Sequence, residues 1–355
     1  MTHKPVEEWV EPSYLDAVKA EVDAENQVLP QTGLSQPQIS PLEIERQLLA
    51  KINLAYHSRF TLTQKQVQER WQFEKNISRP YFHVTKLPPA EVDTWHKYLD
   101  FEQRQGDYDR IAFLFERCLV ACALYDKFWL RYARWMFSQG KEENARLIYM
   151  RACTLFIPVQ RPNVRLKWAR FEEKLGRFTI ARDIHLAILE HVPDATKVII
   201  SLGGLIRRQH GIDLAVQFLE DQILRGTKIA GTLVGEQVRV LWVCKNKPEE
   251  ARQVFKDKAA LLSGDSNFWA AWLRFEIDQP ATFNTEEQAT DVDEAHARVK
   301  AVYEQIPREQ FAFKVFKFLT KLYMQFLLSR GGSKVAVEYM ELDMWGNGYP
   351  TPMEE

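Results

Sequence analysis

Apolar residues in this chain recur at intervals of three and four, in paired blocks separated by a turn. In the clearest pair, Val92, Trp95 and Leu99 share one face, with Tyr98 and Phe101 on its flank, and Gly106-Asp107 follows. A second block places Ile111, Leu114, Phe115, Cys118, Leu119 and Cys122 on one face. Such spacing marks amphipathic helices, because a helix completes a turn every 3.6 residues. The glycine between the blocks suits a helix terminus, where the backbone often turns left-handed. No stretch shows the sustained two-residue alternation of a half-buried strand. The pattern predicts an all-α fold of helical hairpins.

The hairpins repeat. Trp95-x-x-Tyr98, Trp129-x-x-Tyr132, Arg165-x-x-Trp168 and Trp269-x-x-Trp272 each open a unit, with Phe101, Trp135, Phe171 and Phe275 three residues further on. Gly106, Gly140 and Gly176 fall eight residues after the second aromatic position. Further along come Ile111 and Phe115, Ala145 and Tyr149, Ala181 and His185, and Ala251 and Phe255, each pair four apart. Carried through degenerate copies, the register reads 98, 132, 168, 203, 238, 272 and 323. The last step is longer than the others, so an insertion is expected. Residues 279–294, polar and acidic, read as a solvated loop between the helices of the sixth unit. About seven units then occupy residues 88–345. A lone hairpin cannot bury its apolar face and stacks on its neighbours. Trp95, Tyr98, Phe101, Trp129, Tyr132, Trp168, Phe171, Trp269, Trp272 and Phe275 are therefore expected to pack between repeats. Each buried ring contributes about 1.5–3 kcal/mol.

The chain before the repeats is less regular. Residues 1–41 read as an irregular segment, with a short amphipathic helix over 12–26 and a proline- and glutamine-bearing linker over 29–41. Residues 42–87 read as a helical lead-in. One helix is expected over 42–57, and a second opens at a Thr61-x-x-Gln64 capping box and carries Val67, Arg70, Trp71 and Glu74. Residues 80–84 are expected to be extended, and residues 346–355 form a tail.

Composition bears on function more than on fold. At 46% hydrophobic the chain has ample material for a core, and a net charge of −1 offers no global attraction to nucleic acid or an acidic membrane. No apolar run approaches the ~20 residues that span a bilayer. Residues 1–11 lack the basic start and apolar stretch of a secretory leader. Cys118, Cys122, Cys153 and Cys244 read as reduced core thiols, since the spacing of the first two suits packing along a helix. There is no phosphate-binding loop, dinucleotide fingerprint, nucleophile elbow or zinc-protease motif. His185 and His191 fall near the end of one helix, but no Cys or Asp completes a metal set. Glu172-Glu173 and Glu249-Glu250 read as solvated charges at helix ends. The expectation is a protein with no catalytic site, no cofactor, no metal and no small-molecule substrate.

Two features point to partners. Over residues 311–328, Phe311, Val315, Phe318, Leu322 and Phe326 form one stripe, and Phe313, Phe316, Tyr323 and Leu327 another. A terminal repeat ordinarily turns a polar face to water. Either a following helix over 335–345 covers one stripe, or another chain does. Basic residues also cluster, with Arg161, Arg165, Lys167 and Arg170 opening the third unit and Arg207, Arg208 and His210 closing the first helix of the fourth. Such clusters can meet phosphate or an acidic protein segment. On a near-neutral chain direct RNA binding is expected to be weak.

The W-x-x-[YW]-[AL]-x-F-E pattern of the first helices, with A-R-x-x-[YF] in the second, resembles the half-a-tetratricopeptide (HAT) repeat of RNA-processing scaffolds. Trp71-Gln-Phe-Glu-Lys-Asn-Ile-Ser-Arg-Pro-Tyr-Phe-His-Val84, then Phe113-Leu-Phe-Glu-Arg-Cys-Leu119 and Ala123-Leu-Tyr-Asp-Lys-Phe-Trp129, narrow the likeness to the pre-mRNA-processing factor 39 family, in its C-terminal half. The likeness covers residues 42–340 or so and is strongest over 70–185. It implies a right-handed superhelical solenoid and a nuclear protein of the U1 small nuclear ribonucleoprotein. It also implies a role in 5′ splice-site selection and alternative splicing, and a homodimer, or a heterodimer with a paralogue, joined through the C-terminal repeats. Family members carry a further N-terminal block of repeats, so the chain reads as a short isoform, a fragment or a divergent paralogue. Two other readings stay open: a HAT scaffold of 3′-end cleavage or ribosome biogenesis, and a peptide-binding adaptor of ordinary tetratricopeptide type. The latter predicts a Lys/Arg carboxylate clamp that the repeats do not supply.

Overall fold

Periodic apolar faces produce periodic helices. The computed structural model describes residues 10–27, 40–226, 228–279, 288–330 and 333–346, and among these no strand occurs. The helices are α1 (Pro12–Gln27), α2 (Pro41–Glu74), α3 (Pro89–Gln105), α4 (Tyr108–Ala121), α5 (Asp126–Ser138), α6 (Glu142–Arg151), α7 (Asn163–Lys174) and α8 (Phe178–His191). They continue as α9 (Thr196–His210), α10 (Ile212–Leu224), α11 (Ala230–Arg239), α12 (Pro248–Lys258), α13 (Ser266–Asp278), α14 (Gln288–Glu304), α15 (Phe313–Arg330) and α16 (Ser333–Gly346). Most of the expected linker at 29–41 and of the tail at 346–355 lies outside the described residues. The helices form two compact units, residues 1–123 and 124–355.

In the first unit α1 packs on the start of α2. Leu15, Val18 and Val22 are buried against Leu48 and Ile52, and Lys51 pairs with Glu25 at 2.7 Å. Two helices were expected across residues 42–74, and one 34-residue helix is found. The reason is local. The Thr61 hydroxyl, expected to cap a new helix, donates instead to the His57 carbonyl at 2.9 Å. Ser58 and Thr63 bond back to the preceding turn in the same way. With no proline or glycine between them, the ladder runs on. The start of α2 is capped by Ser40, whose hydroxyl accepts from the Glu43 backbone N–H, with Pro41 in the first turn. Helices α3 and α4 complete this unit as a hairpin.

In the second unit α5/α6, α7/α8, α9/α10, α11/α12, α13/α14 and α15/α16 pair in turn, and each pair packs on the next. The register positions Tyr132, Trp168, Gly203, Val238, Trp272 and Tyr323 all lie in the first helix of a pair, as Tyr98 does in α3. The turns share one backbone device. Gly106, Gly140 and Gly176 have φ of 81°, 72° and 76°, and Gly211 has φ 98° with an extended ψ of 174°. Asn246 takes the same place in the α11/α12 turn with φ 55°. Asparagine is among the few side-chain-bearing residues that enter this region readily, so the fifth unit keeps its turn without a glycine.

The acidic loop is shorter than expected. Residues 288–294 already belong to α14, and residues 280–287 lie outside the described residues. No proline or glycine interrupts residues 288–294, so a helix can run through them.

Candidate functional site: repeat seams and exposed faces

Three seams between successive repeats are built from the same parts. An aromatic on the second helix of one repeat lies against one or two aromatics on the first helix of the next. Phe73 stacks on Tyr98 at 4.9 Å between ring centroids and meets Phe101 at 5.4 Å. Tyr149 meets Phe171 at 5.4 Å, and Phe255 stacks on Trp272 at 5.4 Å and meets Phe275 at 5.6 Å. Beside each aromatic set a buried glutamate accepts two hydrogen bonds from one arginine of the preceding repeat. Arg70 reaches Glu102 at 2.6 and 3.0 Å, Arg146 reaches Glu172 at 2.7 and 2.9 Å, and Arg252 reaches Glu276 at 2.7 and 3.0 Å. The fork of the guanidinium matches both carboxylate oxygens, which fixes direction as well as contact. Their hydrogen bonds to the glutamates hold Arg146 and Arg252 more basic than an ordinary guanidinium.

Glu172 was expected to be solvated at a helix end; it is fully buried. Besides Arg146 it accepts from the Trp168 indole N–H at 2.9 Å. The sequence held a signal for this pairing. The F-E of one unit and the A-R of the unit before it recur in phase, as Glu172 with Arg146 and Glu276 with Arg252. Arg70 belongs to the same column, so the end of α2 serves as the second helix of a repeat ahead of α3.

The expected packing aromatics divide by position. Tyr98, Phe171, Trp272 and Phe275 are buried at the seams, while Phe101 and Trp168 are half-buried there. The leading tryptophans are buried too, and each makes a ring contact inside its own hairpin. Trp95 lies under Arg117 at 5.8 Å, Trp129 stacks on Phe156 at 5.4 Å, and Trp269 stacks on Trp272 at 5.7 Å. Tyr132 is buried and stacks on Trp135 at 6.2 Å. Burial, then the hydrogen bond to Glu74, makes the Tyr98 hydroxyl a weaker acid, and Glu74 is itself held low by its hydrogen bond to Arg117.

The α15 residues expected at a partner interface also divide. Phe316, Tyr323 and Phe326 are buried within the chain, together with Leu319, Thr320 and Leu327. Tyr323 stacks on Tyr303 of α14 at 4.6 Å and donates to Glu338 of α16 at 2.8 Å. These three are core residues, because α14 and α16 both pack on this side of α15. Phe311, Val315 and Leu322 are half-buried, and Phe313 and Phe318 are exposed. Phe313 rests on Trp345 at 5.4 Å. The exposed apolar surface continues on α16 through Val337, Met340 and Met344, which sequence reasoning did not single out. Their three- and four-residue spacing was the available signal.

The basic clusters come apart. Arg165 is structural: it donates to the carbonyls of Cys153, Ile157 and Pro158, closing the wide turn at Ala152–Phe156. Arg161 reaches the Leu124 carbonyl, Arg207 contacts the Cys244 sulfur at 3.6 Å, and Arg208 forms an ion pair with Glu173 at 2.5 Å. Arg170 is exposed and lies in line with Lys167 and Lys174 along α7. His185 is buried between the Ala181 carbonyl and the Ser201 hydroxyl, while His191 is exposed. Burial pushes the Cys153 thiol up to about 11. Among the described residues no group of His, Cys, Asp and Glu is placed to hold a metal ion, and no helix is long and apolar enough to cross a membrane.

The sequence of this chain is similar to those of known proteins. The family described as PRP39 C-terminal HAT repeat matches residues 68–208, which include the Arg70–Glu102 and Arg146–Glu172 seams. Pre-mRNA-processing factor 39 of Schizosaccharomyces pombe is 36% identical over 351 residues, covering 96% of this chain and 56% of that protein. The Homo sapiens protein of the same name is 39% identical over 164 residues, 46% of this chain and 24% of its own length. Pre-mRNA-splicing factor CLF1 of Yarrowia lipolytica is 25% identical over 277 residues, 63% of this chain and 41% of its own. The chain thus spans about half the length of the fission-yeast relative and a quarter of the human one. On this likeness along its length, and on the repeat family matched over residues 68–208, the chain belongs to the pre-mRNA-processing factor 39 family of HAT-repeat proteins.

Proposed function

We propose that this chain is a non-catalytic scaffold of pre-mRNA splicing in the nucleus, which holds proteins of the U1 small nuclear ribonucleoprotein and associates with a second copy of itself through its C-terminal repeats. The observation that carries the first part is the run of HAT seams in a chain whose relatives are named as splicing factors. A stack of hairpins offers broad extended faces, which suits assembly. Self-association is supported by the outer side of α15 and α16. There Phe313, Phe318, Leu328, Val337, Met340 and Met344 are each about half exposed or more. A final helix with an apolar outer face favours burial by a partner, and a like copy supplies one of matching chemistry.

Affinity purification from nuclear extract, read by mass spectrometry, tests the scaffold. Recovery of U1 proteins is expected. Recovery of 3′-end cleavage or ribosome-biogenesis factors in their place would overturn it. Light scattering during size exclusion at micromolar concentration tests self-association. A dimer mass is expected, falling to a monomer for Met340→Glu/Met344→Glu, and a monomer mass for the unaltered chain would overturn it.

A further inference from the structure

Helices α5 and α7 pack side by side as first helices of consecutive repeats, and each turns one narrow face outward. On α5 that face carries Lys127, Arg131, Arg134 and Ser138; on α7, at the same register, it carries Asn163, Lys167, Arg170 and Lys174. The eight positions hold six cations and no carboxylate. The matching positions elsewhere differ: Asp93, Lys97, Asp100 and Arg104 on α3, and Asn267, Ala271, Arg274 and Asp278 on α13. Mixed signs at four-residue spacing, as on α3, compensate one another along the helix. On α7 nothing on the face does so. Lys127, Lys167, Arg170 and Lys174 form no hydrogen bond or ion pair with any described residue. Neighbouring like charges at fixed spacing cost stability, so such a face is better explained by what it meets than by the fold.

We propose that this shared basic face of α5 and α7 docks an acidic segment of a partner protein. Packed helices lie about 8–10 Å apart, and the path from Asn163 to Lys174 rises about 16 Å. The two rows can therefore bracket an extended segment of about five residues, with carboxylates alternating toward either row. Single-stranded RNA is the poorer occupant, since sequence-tolerant binding of single strands needs exposed aromatic platforms. Phe128, Trp129, Tyr132, Trp135 and Phe171 are buried, and Phe137, which reaches the surface, is held edge-on against Phe171 at 5.6 Å.

The test uses the full chain and three fluorescent probes of about eight units each, by anisotropy: polyglutamate, polyglutamine and oligouridine. Polyglutamate is expected to bind, more weakly at about 200 mM salt than at about 50 mM, and polyglutamine not to bind. Lys167→Glu/Arg170→Glu should weaken polyglutamate at least about tenfold, and the milder Lys167→Gln/Arg170→Gln by a smaller factor. The pair Lys97→Glu/Arg104→Glu on α3 should leave it unchanged. A circular-dichroism melt shows each variant folded. No polyglutamate binding at low salt, or binding indifferent to both α7 variants, would overturn the proposal. Tighter binding of oligouridine, lost in the same variants, would overturn it in favour of RNA. Light scattering on the same samples reads self-association separately, so failure of one reading leaves the other standing.

Discussion

The seam between α12 and α13 and the seam between α8 and α9 join the same kinds of helices with different chemistry. At the first, Arg252 holds buried Glu276 beside the stacked rings of Phe255 and Trp272. At the second, the arginine column holds Arg182 but the glutamate column holds Arg207. Arg182 then turns out to solvent, where it meets its neighbour Asp183, and the polar contact passes to buried His185 and half-buried Ser201. Helices stack at both places. The difference teaches that apolar shape is sufficient for stacking, while the ion pair adds a directional constraint on which helix face meets which.

Arg252→Met leaves the buried Glu276 carboxylate with only the longer contact to Arg298 at 3.9 Å, and a loss of at most about 3–5 kcal/mol is expected from urea unfolding. Arg252→Met/Glu276→Leu should recover most of that loss, because an apolar pair of similar volume needs no compensation. If the double variant is as weak as the single, the pair matters through packing and the comparison fails. A steric control lies close by. The Gly231 N–H donates to Asp265, the cap of α13, and a Cβ on Gly231 would lie 2.8 Å from the Phe268 backbone nitrogen. Gly231→Ala is expected to cost about 1–3 kcal/mol in the same measurement. On the weaker side, Arg182→Ala should change stability by no more than about 0.5 kcal/mol, as for exposed residues without a partner across the seam.

The smallest effect concerns pH. Burial holds the His185 imidazole below its ordinary value of 6.5. The unfolded chain takes up a proton near 6.5 and the folded chain does so only at lower pH. His185 thus contributes its full share of stability above about 6.5, and that share is lost as pH falls toward the folded value. The melting temperature should drop between pH 7.5 and 5.5, and His185→Gln should flatten part of the slope. An unchanged slope would show that the α8–α9 seam does not depend on a neutral imidazole.

Much of this architecture is legible in the amino-acid sequence. The positions 98, 132, 168 and 272 announce helices because rings at i, i+3 and i+6 on one face have few other uses. The turns are legible through their glycines, except at Asn246, which fulfils the same backbone role under another name. Thr61 misleads because a hydroxyl that caps one helix can equally bond back within another, and only the missing chain break decides. The C-terminal stripes mislead for a different reason. Residues 311–328 are apolar on nearly all sides, so periodicity does not say which side is core. Phe316, Tyr323 and Phe326 turn inward and Phe313 and Phe318 do not.

By itself the sequence determined the helical class, the repeat length and, outside residues 311–328, most of the positions that had to be buried. These depend on contacts within a few residues and on a period of about 35, both written along one dimension. Tertiary structure decided which charges meet. Glu172 lies 26 residues from Arg146, and whether it is a solvated helix-end acid or a buried acceptor turns on which helix packs beside it. The grouping of Lys167, Arg170 and Lys174 with Lys127, Arg131 and Arg134 was decided the same way. Burial and electrostatic pairing are properties of surfaces brought together, and a chain acquires those surfaces only once its helices have stacked.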